Sequence, residues 1–169
     1  MRALWRTGTL GAVLLLAGPL LRAQLAAKKT ALITIPVKFE VKAPPMKVWA
    51  TLISLDGFGT LTGFKPQAGQ KLSAFSKIGD HVLAQVWDDR GRLVVTEFVL
   101  ERELRVTWEP EKAHYLCQKR ILLTPSAGAT TVEYWDRYTD DQPNADVTAK
   151  QVAADTEKNV EALRRLVEK

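Results

Sequence analysis

An α+β fold follows from three features of this 169-residue sequence. One amphipathic helix, long enough to span a small domain, closes the chain. The middle is a series of short alternating runs parted by turn residues, and two small helical segments interrupt that series after its first member. Together they predict a curved seven-stranded antiparallel sheet covered by the C-terminal helix, with two short helices after the first strand.

Residues 1–23 have the parts of a secretory signal: Arg2 and Arg6 at the start, an apolar run over 10–17, a Gly18-Pro19 break, and a workable cleavage site at Leu21-Arg22-Ala23. Even continued across the break to Leu21, the apolar stretch is about a dozen residues where a membrane span needs about twenty. The segment therefore reads as a cleaved export signal. A periplasmic or secreted product without stable membrane insertion is expected. No cysteine follows the run, which excludes a lipoprotein anchor, and no twin-arginine pair occurs in it.

The composition, 46% hydrophobic and 25% charged, is that of a globular chain. The formal charge of +5 includes Arg2, Arg6 and Arg22; without them 21 basic residues face 19 acidic ones, about +2. Those charges are interspersed, so no nucleic-acid partner is implied. Cys117 is the single cysteine, which rules out an intrachain disulfide and suits a buried position in a strand.

Residues 24–31 form a short polar lead to the domain proper, 32–169. Over 32–42, Ile33, Ile35, Val37, Phe39 and Val41 alternate with polar residues, the mark of a half-buried strand, and Pro36 assigns it to an edge or a bulge. Ala43-Pro44-Pro45 ends it. Pro45 suits the first turn of a helix carrying Val48, Trp49, Leu52 and Ile53. A second, very short helix or turn is predicted over 56–62, where Gly57, Gly59 and Gly63 interleave with Phe58, Leu61 and Phe64. Such a segment serves either as a mobile cavity lid or as an ordinary connector. Strands are then predicted over 71–76, 81–87, 92–100, 104–109, 114–124 and 130–139, the last two flanking the turn Pro125-Ser126-Ala127-Gly128. The terminal helix covers 144–169, capped by Asn144 or Asp146. Its stripe of Val152, Thr156, Val160, Leu163 and Val167, widened by Ala149, Ala153 and Leu166, faces the core.

Two local patterns carry a family resemblance. Val41-Lys42-Ala43-Pro44-Pro45-Met46-Lys47-Val48-Trp49 is similar to the entry into the first helix of the START and Bet v 1-like (SRPBCC) superfamily. Leu123-Thr124-Pro125, followed by Gly128-Ala129-Thr130-Thr131-Val132-Glu133-Tyr134, resembles the hairpin joining its last two strands. The resemblance runs from about residue 32 to the end and implies the helix-grip fold, with a cavity for a hydrophobic small molecule between sheet and terminal helix. Its nearest branches are polyketide cyclase/dehydrase-like proteins, the Hsp90-ATPase-activator-like group, and lipid or quinone carriers. It does not imply catalysis, since one fold hosts carriers and enzymes alike.

The residues themselves offer little chemistry. His81 and His114 stand 33 positions apart without a carboxylate at ligand spacing, so no metal site is expected, nor any cofactor. Nucleophile elbows and phosphate loops are missing from the sequence. Inward-facing polar residues remain as catalytic candidates. If Val132 and Tyr134 point inward, Asp136 and Tyr138 follow with period two, and a cavity carboxylate flanked by phenols orients a ligand or acts as a base. Two alternatives compete: a register with Trp135 buried and Asp136 solvated, or pairing of Asp136 with Arg120 or Lys119. Glu97 is a third candidate, on a run with two apolar faces, and Gln85 a lone polar contact. The expected cavity walls are Phe39, Trp49, Phe58, Phe64, Phe75, Phe98, Trp108, Tyr134, Tyr138, Val152, Thr156 and Val160.

Three functions are compatible with this reading. The first is an exported, monomeric carrier of a lipid-like, isoprenoid or aromatic molecule. The second is a metal-independent cyclase/dehydrase-type enzyme using Asp136, Tyr138 or Glu97, and the third an interaction module with a filled core.

Overall fold

The computed structural model describes residues 31–86, 88–112, 115–140 and 145–169. The proposed signal and most of the polar lead, together with Trp87, His114 and Asn144, lie outside the described residues. The elements run β1 (Ala31–Val41), α1 (Pro45–Ile53), α2 (Leu55–Thr62), β2 (Lys65–Pro66), β3 (His81–Val86), β4 (Asp89–Val99), β5 (Glu103–Pro110), β6 (Cys117–Ser126), β7 (Ala129–Asp140) and α3 (Ala145–Val167). All seven strands form one antiparallel sheet in the order β1-β7-β6-β5-β4-β3-β2, curled into a half-barrel. This is the predicted α+β helix-grip architecture.

β1 is an edge strand, which tolerates Pro36 because that residue has no N–H to give to a second neighbour. Val41 then turns into α1, with Pro45 in its first turn. Ser54 ends α1 and starts α2, its side chain accepting from Gly57 N at 3.0 Å. Gly63 stops α2 in the left-handed conformation, φ +77°, donating to Gly59 O. Gly57 and Gly59 permit close approach: a Cβ on Gly57 would lie 2.0 Å from Thr51 O, and one on Gly59 2.6 Å from Phe64 O. The elbow between the two helices is thus packed backbone on backbone.

One predicted strand is corrected. Residues 71–76 do not join the sheet; their place is taken by the two-residue β2, paired with β3. The backbone of 71–76 bonds instead to the helical elbow, with Phe75 N donating to Ile53 O and Leu55 N to Ser73 O. Phe75 drops into the core against Phe58, ring centroids 5.4 Å apart.

Val160, Leu163 and Val167 of α3 are buried, as the stripe predicts. Burial of such side chains stabilises by about 1.5–3 kcal/mol each. Leu166, expected to widen the stripe, is 44% exposed because it lies past the edge of the contact face. Arg164 Nε donates to Glu40 O at 3.0 Å and Glu168 accepts from Lys42 N at 2.9 Å, tying the helix end to β1.

Candidate functional site

The two halves of α3 cover different things. Its second half lies on a filled core, where inward residues of paired strands meet: Ile121 opposite Tyr134 and Leu123 opposite Val132. Its first half roofs a cavity of about 630 Å³. The roof is Thr148, Val152, Asp155, Thr156, Lys158 and Asn159. Thr62, Gly63 and Phe64 close one side, while Val86, Asp89 and Tyr115 form another. Cys117 and Lys119 of β6, with Asp136, Tyr138 and Thr139 of β7, make the floor.

Strand register assembles that floor. Period two brings Cys117, Lys119, Ile121 and Leu123 inward on β6, and Val132, Tyr134, Asp136 and Tyr138 inward on β7. Antiparallel pairing sets Lys119 directly opposite Asp136 and Cys117 opposite Tyr138. Lys119 Nζ forms an ion pair with Asp136 Oδ2, and the residues are 5% and 4% exposed. Asp136 Oδ1 is buried and has no hydrogen-bond partner among the described residues.

The surroundings determine the protonation of this group. Burial disfavours the Lys119 ammonium, but Cys117 and the Asp136 carboxylate outweigh it and hold its pKa above the ordinary lysine value. Burial pushes the Cys117 thiol up, as it does the Tyr134 phenol, which Asp136 raises further. At neutral pH the floor therefore carries the Lys119 ammonium and a neutral Cys117 thiol, and the Tyr134 phenol in the core beside it is neutral as well. Neither Lys119 nor Cys117 is in its nucleophilic form.

Phe64 is directed inward by the Gly63 cap. Its ring sits 4.8 Å from Trp108 and 5.4 Å from Lys119 Nζ, measured to the Phe64 centroid. Trp108 Nε1 donates to Tyr115 Oη at 2.8 Å, and Tyr115 donates to Asp89 Oδ2 at 2.9 Å. Burial and then the Asp89 carboxylate push the Tyr115 phenol upward. Asn159 Nδ2 donates to Leu61 O at 3.2 Å and joins roof to side wall.

Of the residues singled out in the sequence, Phe64, Asp136, Tyr138, Val152 and Thr156 line the cavity. Phe39, Trp49, Phe58, Phe75, Trp108, Tyr134 and Val160 are buried core residues outside its lining, and Phe98 packs on Trp49 at 5.3 Å. The alternative register is excluded, because Asp136 is buried while Trp135 faces outward under Arg120 at 4.8 Å. Glu97 is removed from the site by a bulge between Val95 and Glu97, which leaves Val95 and Phe98 inward and pairs Glu97 with Arg105 on the outer face at 3.1 Å. Gln85 shares the outer face of β3 with His81 and Leu83, and His81 lies exposed beside Gly79 O. Among the described residues no group of three or more His, Cys, Asp or Glu stands close enough to hold a metal ion, and no helix is long and apolar enough to cross a membrane. Asp89, Tyr115 and Asn159 enter the site without a local sequence signal, since each is brought there by a turn or a helix packing angle.

No protein-family model and no curated protein sequence matches the chain. Solved structures do. Protein CV1439 from Chromobacterium violaceum is similar at 17% identity and a TM-score of 0.59, covering 80% of this chain and 97% of that one. DynU16, from the dynemicin biosynthetic locus, is 23% identical with a TM-score of 0.59, covering 80% of this chain and 47% of that one. Aha1 from Colwellia psychrerythraea, solved as a dimer, is 13% identical with a TM-score of 0.58, covering 80% and 96%. What these proteins share with the chain is the fold.

Proposed function

We propose that this protein binds a hydrophobic small molecule, lipid-like, isoprenoid or aromatic, beneath the first half of α3, and does so outside the cytoplasm after export through residues 1–23. The observation that carries this reading is the cavity itself. Its 630 Å³ falls within the range of about 300–1,000 Å³ typical of small-molecule sites, and its mostly apolar surface carries polar groups on the roof and sides as well as on the floor. That volume weighs against an interaction module with a filled core. DynU16 comes from a biosynthetic locus, which agrees with a small organic ligand.

Native mass spectrometry of protein recovered from the exported fraction, followed by organic extraction, tests the proposal. A co-purifying molecule that is lost in Val152→Trp, a substitution that fills the roof, supports it. Failure to recover such a molecule, together with failure to bind any apolar probe, would sink it. A second reading, a metal-independent cyclase or dehydrase, draws on one observation: the Asp136 carboxylate lines the cavity beside Tyr138. Conversion of the extracted molecule by the native chain but not by Asp136→Asn would favour the enzyme.

A further inference from the structure

The floor of the cavity holds a lysine, and a lone buried lysine would select an anionic ligand. Here that charge is already matched. Lys119 is engaged across one rung of the sheet by Asp136 Oδ2, and both side chains are about 95% buried, 6% and 5% exposed. What the pair still offers is a single acceptor: Asp136 lines the cavity, and its Oδ1, buried at the cavity wall, has no hydrogen-bond partner among the described residues. We infer that the ligand is a neutral molecule carrying a hydroxyl or N–H donor on an apolar body, that its donor bonds to Asp136 Oδ1, and that carboxylates and phosphates of the same skeleton are rejected.

The physical grounds are differential. A hydrocarbon seated against the floor leaves the buried carboxylate oxygen Oδ1 unpaired. An alcohol or phenol in the same position satisfies it with a charge-assisted bond. An anionic head group meets the Asp136 carboxylate, and the other lysine of the lining, Lys158 on the roof, is solvent-exposed and already paired with Asp155 at 3.5 Å. Phe64, Val86, Tyr138 and Val152 supply the apolar contact for the remainder of the molecule. This inference rests on the cavity-binding reading above and specifies its ligand class.

The test uses two matched series at neutral pH: naphthalene, 2-naphthol and 2-naphthoate, and decane, 1-decanol and decanoate. Binding is measured by competition and by native mass spectrometry for the native chain, Val152→Trp, and the paired substitution Lys119→Met with Asp136→Leu. The pair is replaced together because a single change leaves a buried charge without its counter-ion, which is strongly destabilising. The expected result is that each alcohol binds roughly tenfold or more tighter than its hydrocarbon, as a hydrogen bond to a charged group allows, and tighter than its carboxylate. In the doubly substituted chain that ratio falls toward one. Equal binding of alcohol and hydrocarbon, both lost in Val152→Trp, would overturn the donor inference and leave the cavity reading standing. Tightest binding of the carboxylates, or a ratio untouched by the double substitution, would overturn it as well. No binding by either series would remove the cavity reading and the inference with it.

Discussion

Lys119→Met isolates the energetics of the floor. The substitution keeps an unbranched side chain one atom shorter but leaves the Asp136 carboxylate 4% exposed without its counter-ion. Removing one partner of a buried pair costs about 3–5 kcal/mol, because the remaining charge has lost both water and its compensation. For a domain of this size that corresponds to a fall in melting midpoint of roughly 10–20 °C. Adding Asp136→Leu removes the orphaned charge and should restore most of the loss, since an apolar pair of similar volume is neutral or stabilising in such positions by about 1–4 kcal/mol. The assay is thermal and urea unfolding of the native chain, both single variants and the double variant at one pH. A single variant that unfolds with the native chain, or a double variant whose loss equals the sum of the singles, would refute the buried coupled pair.

Three further outcomes are expected. Val160→Asp buries an unpaired charge at a position 5% exposed and should destabilise by several kcal/mol, about 3 or more, in urea unfolding; an unchanged midpoint would show that α3 presents another face. Gly57→Ala places a methyl 2.0 Å from Thr51 O and should lower stability by about 1–3 kcal/mol through displacement of the α1–α2 elbow, whereas a neutral result would mean that the elbow yields freely. Glu103 is held below its ordinary value of 4.5 chiefly by the hydrogen bond from Arg120, against the opposing effect of burial. A depressed folded pKa means that the unfolded chain binds the proton first, so this stabilisation is present above pH 4.5 and declines as pH falls below it. Glu103→Gln should therefore destabilise at neutral pH and converge with the native chain in acid, and a gap that stays constant down to acid pH would contradict that linkage.

Much of the architecture was legible because it rests on local periodicity. The alternation of Ile33, Ile35, Val37, Phe39 and Val41, and the stripe of Val152, Thr156, Val160, Leu163 and Val167, each state which side faces the core. Pro36 marks β1 as an edge by its missing donor, and Pro45 with Gly63 brackets the two small helices. Those signals depend on a residue and its near neighbours, so sequence alone determined the α+β class, while the inward set on β7 stayed open between two registers until the structure buried Asp136 and turned Trp135 out. The sequence also narrowed the partners of Asp136 to Lys119 or Arg120. Only the tertiary structure chose Lys119, because the choice depends on the β6–β7 register, and a one-residue slip would carry Arg120 inward instead. The bulge that turns Glu97 out interrupts the very alternation by which its face would be read. Segment 71–76 carries a strand-like composition but gives its backbone bonds to a helical elbow distant in sequence. Likewise, most of the predicted aromatic walls are equally apolar whether they fill a core or line a cavity. What separates Phe64 from Phe58 is where α3 ceases to meet the sheet, and that distance is set by the packing of the whole domain.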